Sequence, residues 1–199
     1  MNQYKYGFAE LHAAFVDETD STKYGEVFSI PNVLSITLDP DESSNPVYGD
    51  DSKIATISTN NGYTGSVEAD VFDDEFIATA LGWYKDANGK WVEVADGKPR
   101  HFALGYRIQG DAKNRRTWLY DVQLSRPSKS ANGVQDSVTP DTDSLDLTVV
   151  PKYFADIDKK VVSTWCYEGD TEYDNFFEDV VAPAAEQTTG KTTTTKASE

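Results

Sequence analysis

Six segments of this chain alternate apolar and polar residues with a period of two, and no other feature limits the possible folds as much. Residues 33–38, VLSITL, set Leu34, Ile36 and Leu38 against Ser35 and Thr37. YTGSVEADV sets Val67, Ala69 and Val71 against Ser66, Glu68 and Asp70. The same spacing brings together Phe102, Leu104, Tyr106 and Ile108, then Trp118, Tyr120, Val122 and Leu124. Further on it aligns Leu145, Leu147 and Val149, and lastly Val161, Ser163, Trp165 and Tyr167. Successive strand residues point to opposite faces, so each segment predicts a strand with one packed face, the habit of antiparallel sheets. Asn88-Gly89, between WYKDA and KWVEV, predicts a type I′ hairpin, and GDAKN is of hairpin length between the Phe102 and Trp118 strands. Several strands punctuated in this way predict a mainly β fold, an antiparallel β-sandwich or a barrel-like one.

One short helix interrupts the strands, in NNGYTGSVEADVFDDEFIATALG. Asp73 is placed to cap it, with Phe72 and Ile77 as a hydrophobic staple, and Asp74 and Glu75 meet the positive end of the helix dipole. Phe76, Ile77, Ala80 and Leu81 share a face, and Gly82 ends the run. A helix this short is marginal alone, so it is expected to flank the sheets and close an open end of the sandwich.

Charge narrows the partners. The formal net charge of −16 opposes a sequence-independent grip on nucleic acid, which needs Lys and Arg against phosphates. It suits a surface that DNA slides past. Cys166 is the only cysteine, so no internal disulfide can form, and in the apolar VVSTWCYEG it reads as a buried, inert thiol. The opening MNQYKYGFAELH lacks the basic-then-apolar order of a secretory signal. Nor does any stretch approach the roughly 18 apolar residues of a membrane span, so no membrane association is expected.

The sequence offers no reaction chemistry. His12 and His101 have no HExxH partner, there is no CxxC, and no glycine-rich phosphate loop is present. The abundant acids permit a carboxylate pair by chance, but no catalytic residue, metal or cofactor is expected. In DPDESSNPVYGDD, Asp39, Asp41, Ser43, Asn45 and Asp50 approximate calcium-loop spacings. Ser44 stands where that motif needs Gly, Asp50 where it needs Glu, and strands replace the flanking helices. Residues 39–51 therefore read as a long acidic surface loop stiffened by Pro40 and Pro46, of the kind that meets a partner. Its acids Asp39, Asp41, Glu42, Asp50 and Asp51 are the candidate contact residues, with Lys113, Arg115 and Arg116 as basic groups that could oppose them.

Three regions follow. Residues 1–25, with Tyr4, Tyr6, Phe8, Leu11 and Phe15 spread through polar sequence, read as an N-terminal arm. Residues 26–182 form the β-sandwich domain, in which Tyr173, Phe176, Phe177 and Val180 recur at helical spacing as a packing stripe. Residues 183–199 form a disordered Thr-rich tail.

Taken in order, IPNVLSITLDPDESSNPVYGDDSKI, NNGYTGSVEADVFDDEFIATALG and KPRHFALGYRIQGDAKNRRTWLYDVQLSRPS resemble the major tail protein family of phages with long, flexible, non-contractile tails. The resemblance spans about residues 5 to 182. It implies a tail tube fold with one flanking helix, and a subunit that forms hexameric rings stacked into a hollow tube. The loop at Asp39–Asp51 would join successive rings. Implied partners are the chain itself, a tape-measure protein, and the tail terminator and distal tail proteins. DNA would pass through the lumen without specific binding. Assembly would take place in the host cytoplasm, and the product would reside in the virion tail. The TTGKTTTTKASE extension is shorter than the added surface domain of some relatives. The alternative reading is a monomeric β-sandwich module that binds carbohydrate or protein, with Trp83, Trp91 or Trp118 as an aromatic platform.

Overall fold

The computed structural model describes residues 8–49, 52–109, 113–129 and 142–185. Strand β1 (Phe8–Phe15) is followed by the short β2 (Phe28–Ser29), the long β3 (Val33–Gly49) and β4 (Ser52–Ala69). Helix α1 (Asp74–Leu81) leads to a small hairpin of β5 (Tyr84–Lys85) and β6 (Trp91–Val92), then to β7 (Phe102–Ile108) and β8 (Arg116–Leu124). Strand β9 (Asp143–Val149) precedes the hairpin of β10 (Lys152–Phe154) and β11 (Lys159–Val161), and β12 (Ser163–Cys166) comes last.

The fold is mainly β with one helix, but the expected sandwich or barrel does not form. One eight-stranded antiparallel sheet runs in the order β2-β1-β7-β8-β9-β4-β3, with β12 added against β8. Its two ends, β2 and β3, are not hydrogen-bonded to each other, so the sheet is open. Among the described residues β3 pairs only with β4. Pro40 and Pro46, which lack N–H groups, stand on the part of β3 that runs to and past the end of the β9 pairing. The sheet instead curls until β1 nears β3, and α1 fills the space between. Leu11, Phe102, Leu104, Leu119 and Val122 from one half of the sheet share a core with Val67, Leu145, Leu147 and Val149 from the other. From the helix come Phe76, Ala80 and Leu81. Asp73 caps α1 as expected, its side chain accepting from the Glu75 N–H at 3.0 Å.

Two bulges redistribute side chains that strict alternation had placed together. Val33 pairs with Ala69 and Ser35 with Glu68, so Leu34 is the extra residue and is 55% exposed instead of sharing the packed face with Ile36 and Leu38. In β8, Leu119 faces Leu104 while Val122 faces Phe102, and the additional residue on β8 reverses the phase. Trp118 and Tyr120 therefore point to one side of the sheet, Val122 and Leu124 to the other. In β12 the buried residue is Cys166, and Trp165, expected to pack with Val161, is 52% exposed. The Cys166 thiol is pushed up to about 11, chiefly by burial and also by Asp170.

Phe8–Phe15, read from sequence as part of an arm, is an interior strand paired along its length with β7; residues 1–7 lie outside the described residues. The stripe at 173–180 packs as expected, though through successive turns and not an α-helix. It forms a strap over the sheet face opposite α1. Trp118 Nε1 donates to the Phe176 carbonyl at 2.6 Å, and Tyr120 Oη donates to the Val181 carbonyl at 2.7 Å. Arg116 donates to the Tyr173 and Asp174 carbonyls, with its guanidinium 4.3 Å from the Tyr173 ring and 5.0 Å from Phe177.

The strap gives the fold a specific acid sensitivity. His12 stacks on Phe177 with ring centroids 4.5 Å apart, and burial holds its pKa below the ordinary 6.5, Glu10 opposing and Arg116 reinforcing. Burial raises the Glu10 carboxyl, but its 2.6 Å bond to Arg107 and the nearby positive charges leave it below its ordinary 4.5. In both cases the unfolded chain takes up a proton more readily than the folded one. Stability should therefore fall as pH drops, first below about 6.5 through His12 and then below about 4.5 through Glu10. Urea titrations at stepped pH check this, with His12→Gln expected to flatten the upper part of the fall and leave the lower part.

Candidate interaction surface

The longest feature of the molecule is a projecting hairpin. Strands β3 and β4 pair from Val33–Ala69 out to Gly49–Ser52. At its root the hairpin belongs to the sheet, because β9 covers β4 from Tyr63 to Ala69. Beyond Tyr63 each strand has only the other, and residues 39–48 and 52–61 are all exposed. Ten residues of β-strand carry this arm about 33 Å from the body. The acidic segment read as a loop is thus mostly strand. Asp39, Asp41 and Glu42 sit on β3 opposite Thr64, Gly62 and Asn60, while Asp50 and Asp51 lie outside the described residues.

Its chemistry points to contact. Tyr48 is 68% exposed, Ile54 67%, Ile57 60% and Val47 40%. Asn45 pairs with Ile57 and Val47 with Ala55, so Val47 and Ile57 lie side by side on one face. A two-stranded ribbon is marginal in water, and one carrying outward isoleucines and a tyrosine gains stability when something covers it. Charge adds direction: Asp39, Asp41 and Glu42 outnumber Lys53 along the arm.

Two of the basic groups expected to oppose these acids make contacts elsewhere in the same chain. Arg116 holds the strap, and the Lys113 ammonium lies 4.9 Å over the Tyr167 ring. At the hairpin root, the outward face of β9, β4 and β3 presents Ser144, Asp146 and Thr148 beside Glu68, Ser66 and Thr64, and then Ser35, Thr37 and Asp39. That face holds three acids and no Lys or Arg.

The aromatic residues do not assemble a platform as the sequence suggested. Trp118 is fully buried, Trp83 packs on the core with Lys129 Nζ 6.0 Å from its ring, and Trp91 carries Lys85 Nζ at 5.0 Å. A concavity of about 650 Å³ is lined by Arg100, His101, Asp121 and Lys152 among others. Both nitrogens of His101 are occupied there: Nδ1 is bonded to Asp121, and Nε2 lies 2.7 Å from the Gln123 amide nitrogen, from which it accepts. Lys152 Nζ donates to Tyr24 Oη at 2.9 Å and sits 4.0 Å over that ring. Among the described residues no three His, Cys, Asp or Glu side chains converge as metal ligands. No described helix is long and apolar enough to cross a membrane.

These features define an open-sheet, mainly β protein whose most prominent surface is an exposed two-stranded arm. Neither a protein-family model nor a curated protein sequence matches the chain.

Proposed function

We propose that the chain is a protein-binding β module that makes its contacts through the outer half of the β3–β4 hairpin. The observation that carries this reading is the paired arm itself, exposed along its length and bearing Val47, Tyr48, Ile54 and Ile57 outward. Capture of carbohydrate is the weaker form of the reading, because Trp83 and Trp91 each hold a lysine against the ring and Trp118 is buried.

The narrower reading is that the bound protein is another copy of the chain, in the stacked rings of a phage tail tube. What favours it is the sequence resemblance together with the Ser, Thr, Asp and Glu face at the hairpin root, a surface that repels phosphate. The arm would then reach from one ring to the next.

Light scattering and negative-stain imaging of the purified chain separate the two. Rings or tubes support self-assembly. A stable monomer at high concentration removes the tube reading and leaves a module for a different protein. On either reading the acidic chain should hold duplex DNA only weakly in filter binding at low salt. Tight binding that weakens steeply with added salt would contradict the assignment of that face.

A further inference from the structure

We infer that Asn88 is a site of spontaneous deamidation, selected by the fold over the chemically equivalent Asn61. Both residues precede glycine, Asn88-Gly89 and Asn61-Gly62. The reaction is the same for each. The backbone nitrogen of the glycine attacks the side-chain carbonyl carbon of asparagine, a C–N bond forms, and ammonia leaves to give a succinimide. Water then opens the ring to aspartate or isoaspartate, so the net change is asparagine plus water to acid plus ammonia. Glycine speeds it because no side chain obstructs the attack. What remains is whether the backbone can turn to bring the two atoms together and whether the nitrogen is accessible.

The two sites differ on both counts. Asn88 lies in the β5–β6 hairpin, where Gly89 N–H donates to the Asp86 carbonyl at 3.0 Å and Asp86 N–H to the Lys90 carbonyl at 2.8 Å. Gly89 has φ +83°, whereas Asn88 is not among the described residues with positive φ. The turn is therefore a type I turn followed by a left-handed glycine, and not the type I′ turn expected from the dipeptide. Nothing lies within 4 Å of the place where a Cβ on Gly89 would stand, and both residues are exposed. The hairpin consists of two residues on each side and forms a sheet of its own, so opening it disturbs no larger ladder.

Asn61 is held differently. Gly62 is buried, with φ +111°, and its N–H donates to the Asn60 side-chain oxygen at 2.9 Å. A Cβ on Gly62 would stand 1.9 Å from the Val149 carbonyl oxygen, so the β9 backbone packs directly against the Gly62 Cα and limits how far this peptide can turn. Asn61 itself is exposed, the extra residue of a bulge where Asp41 pairs with Gly62 and Glu42 with Asn60, so what restrains the site is Gly62, next to the Tyr63–Val149 pair at which β9 begins to cover β4. Deamidation at Asn88 adds negative charge to a chain already at −16, and the isoaspartate product lengthens the turn by one backbone atom.

The test is incubation of the folded full chain at mildly alkaline pH, with tryptic peptides followed by mass spectrometry. Asp86–Lys90 and the peptide carrying Asn61 are separate, and Asn132-Gly133, outside the described residues, is scored by itself. The Asp86–Lys90 peptide should convert at least about tenfold faster than the Asn61 peptide, since the rate follows the locally open population. In urea the two should convert at matching rates. Equal rates in the folded chain, an intact Asn88, or a gap that persists in urea would each overturn the inference.

Discussion

Trp118→Ala should lower the stability of this chain by about 3–5 kcal/mol, the usual cost of removing a large aromatic from a closed core. Trp118 is fully buried, its ring meets Phe177 edge-on at 5.6 Å, and its Nε1 holds the Phe176 carbonyl at 2.6 Å. The substitution removes the packing, leaves a buried carbonyl without its donor, and opens a void beside Gly105, whose Cα faces the ring so closely that a Cβ there would stand 2.8 Å from it. At roughly 2–4 °C per kcal/mol for a chain of this size, the thermal midpoint should fall by about 6–20 °C. Trp165→Ala is the matched control: on the neighbouring β12 but 52% exposed, it should stay within about 0.5 kcal/mol of the parent. A loss below about 1 kcal/mol at Trp118 would mean that the strap is not seated on the sheet.

The second large effect separates folding from function. Joining Asp41 to Gly62 through an Asn-Gly turn in place of residues 42–61 removes the arm at a position where the two strands are already paired. The described residues among them bury nothing in either core, and a shorter connection costs little entropy, so circular dichroism and the thermal midpoint should remain close to the parent. Partner binding, or assembly if the partner is the chain itself, should be abolished. A milder variant replacing Tyr48, Ile54 and Ile57 with Ser keeps the arm and removes its apolar contacts, which at the centre of an interface are worth about 2 kcal/mol or more each. Normal binding or normal tubes from a folded, arm-deleted chain would remove the hairpin from the proposal.

Much of the sheet was legible because burial on one side writes a period of two. Val67, Ala69, Leu145, Leu147 and Val149 follow it and all are buried. The helix was legible for a different reason, since Asp73, its first-turn acids and Gly82 are local signals. What escaped were features without a local signature. A bulge is one extra residue, and Leu34 and the phase of β8 depend on pairing with distant strands. β8 is covered on both faces, so its alternation cannot say which apolar set meets which core. The arm escaped for the converse reason. With neither face of the described part buried, residues 39–61 carry no alternation, and two prolines and five acids looked like loop. The β-branched run at Ile54–Thr59 was the available clue. Closure of the sheet was equally hidden, because it depends on whether end strands far apart in the chain, β2 and β3, pair with each other.

The pairing of β1 also has a consequence for synthesis. β3 and β4 meet through contacts that are near in the chain, and their hairpin can form as soon as both have been made. β1 differs: Phe8 must find Ile108 and Phe15 must find Phe102, with only the two-residue contact to β2 available earlier. On the ribosome, at about 5–20 residues per second, β1 waits several seconds for its long partner while Leu11, Ala13 and Ala14 remain uncovered. Such distant pairing places refolding on the millisecond-to-second scale of β topologies. The arm proposed to meet other proteins is thus complete before the body that carries it has closed its first core.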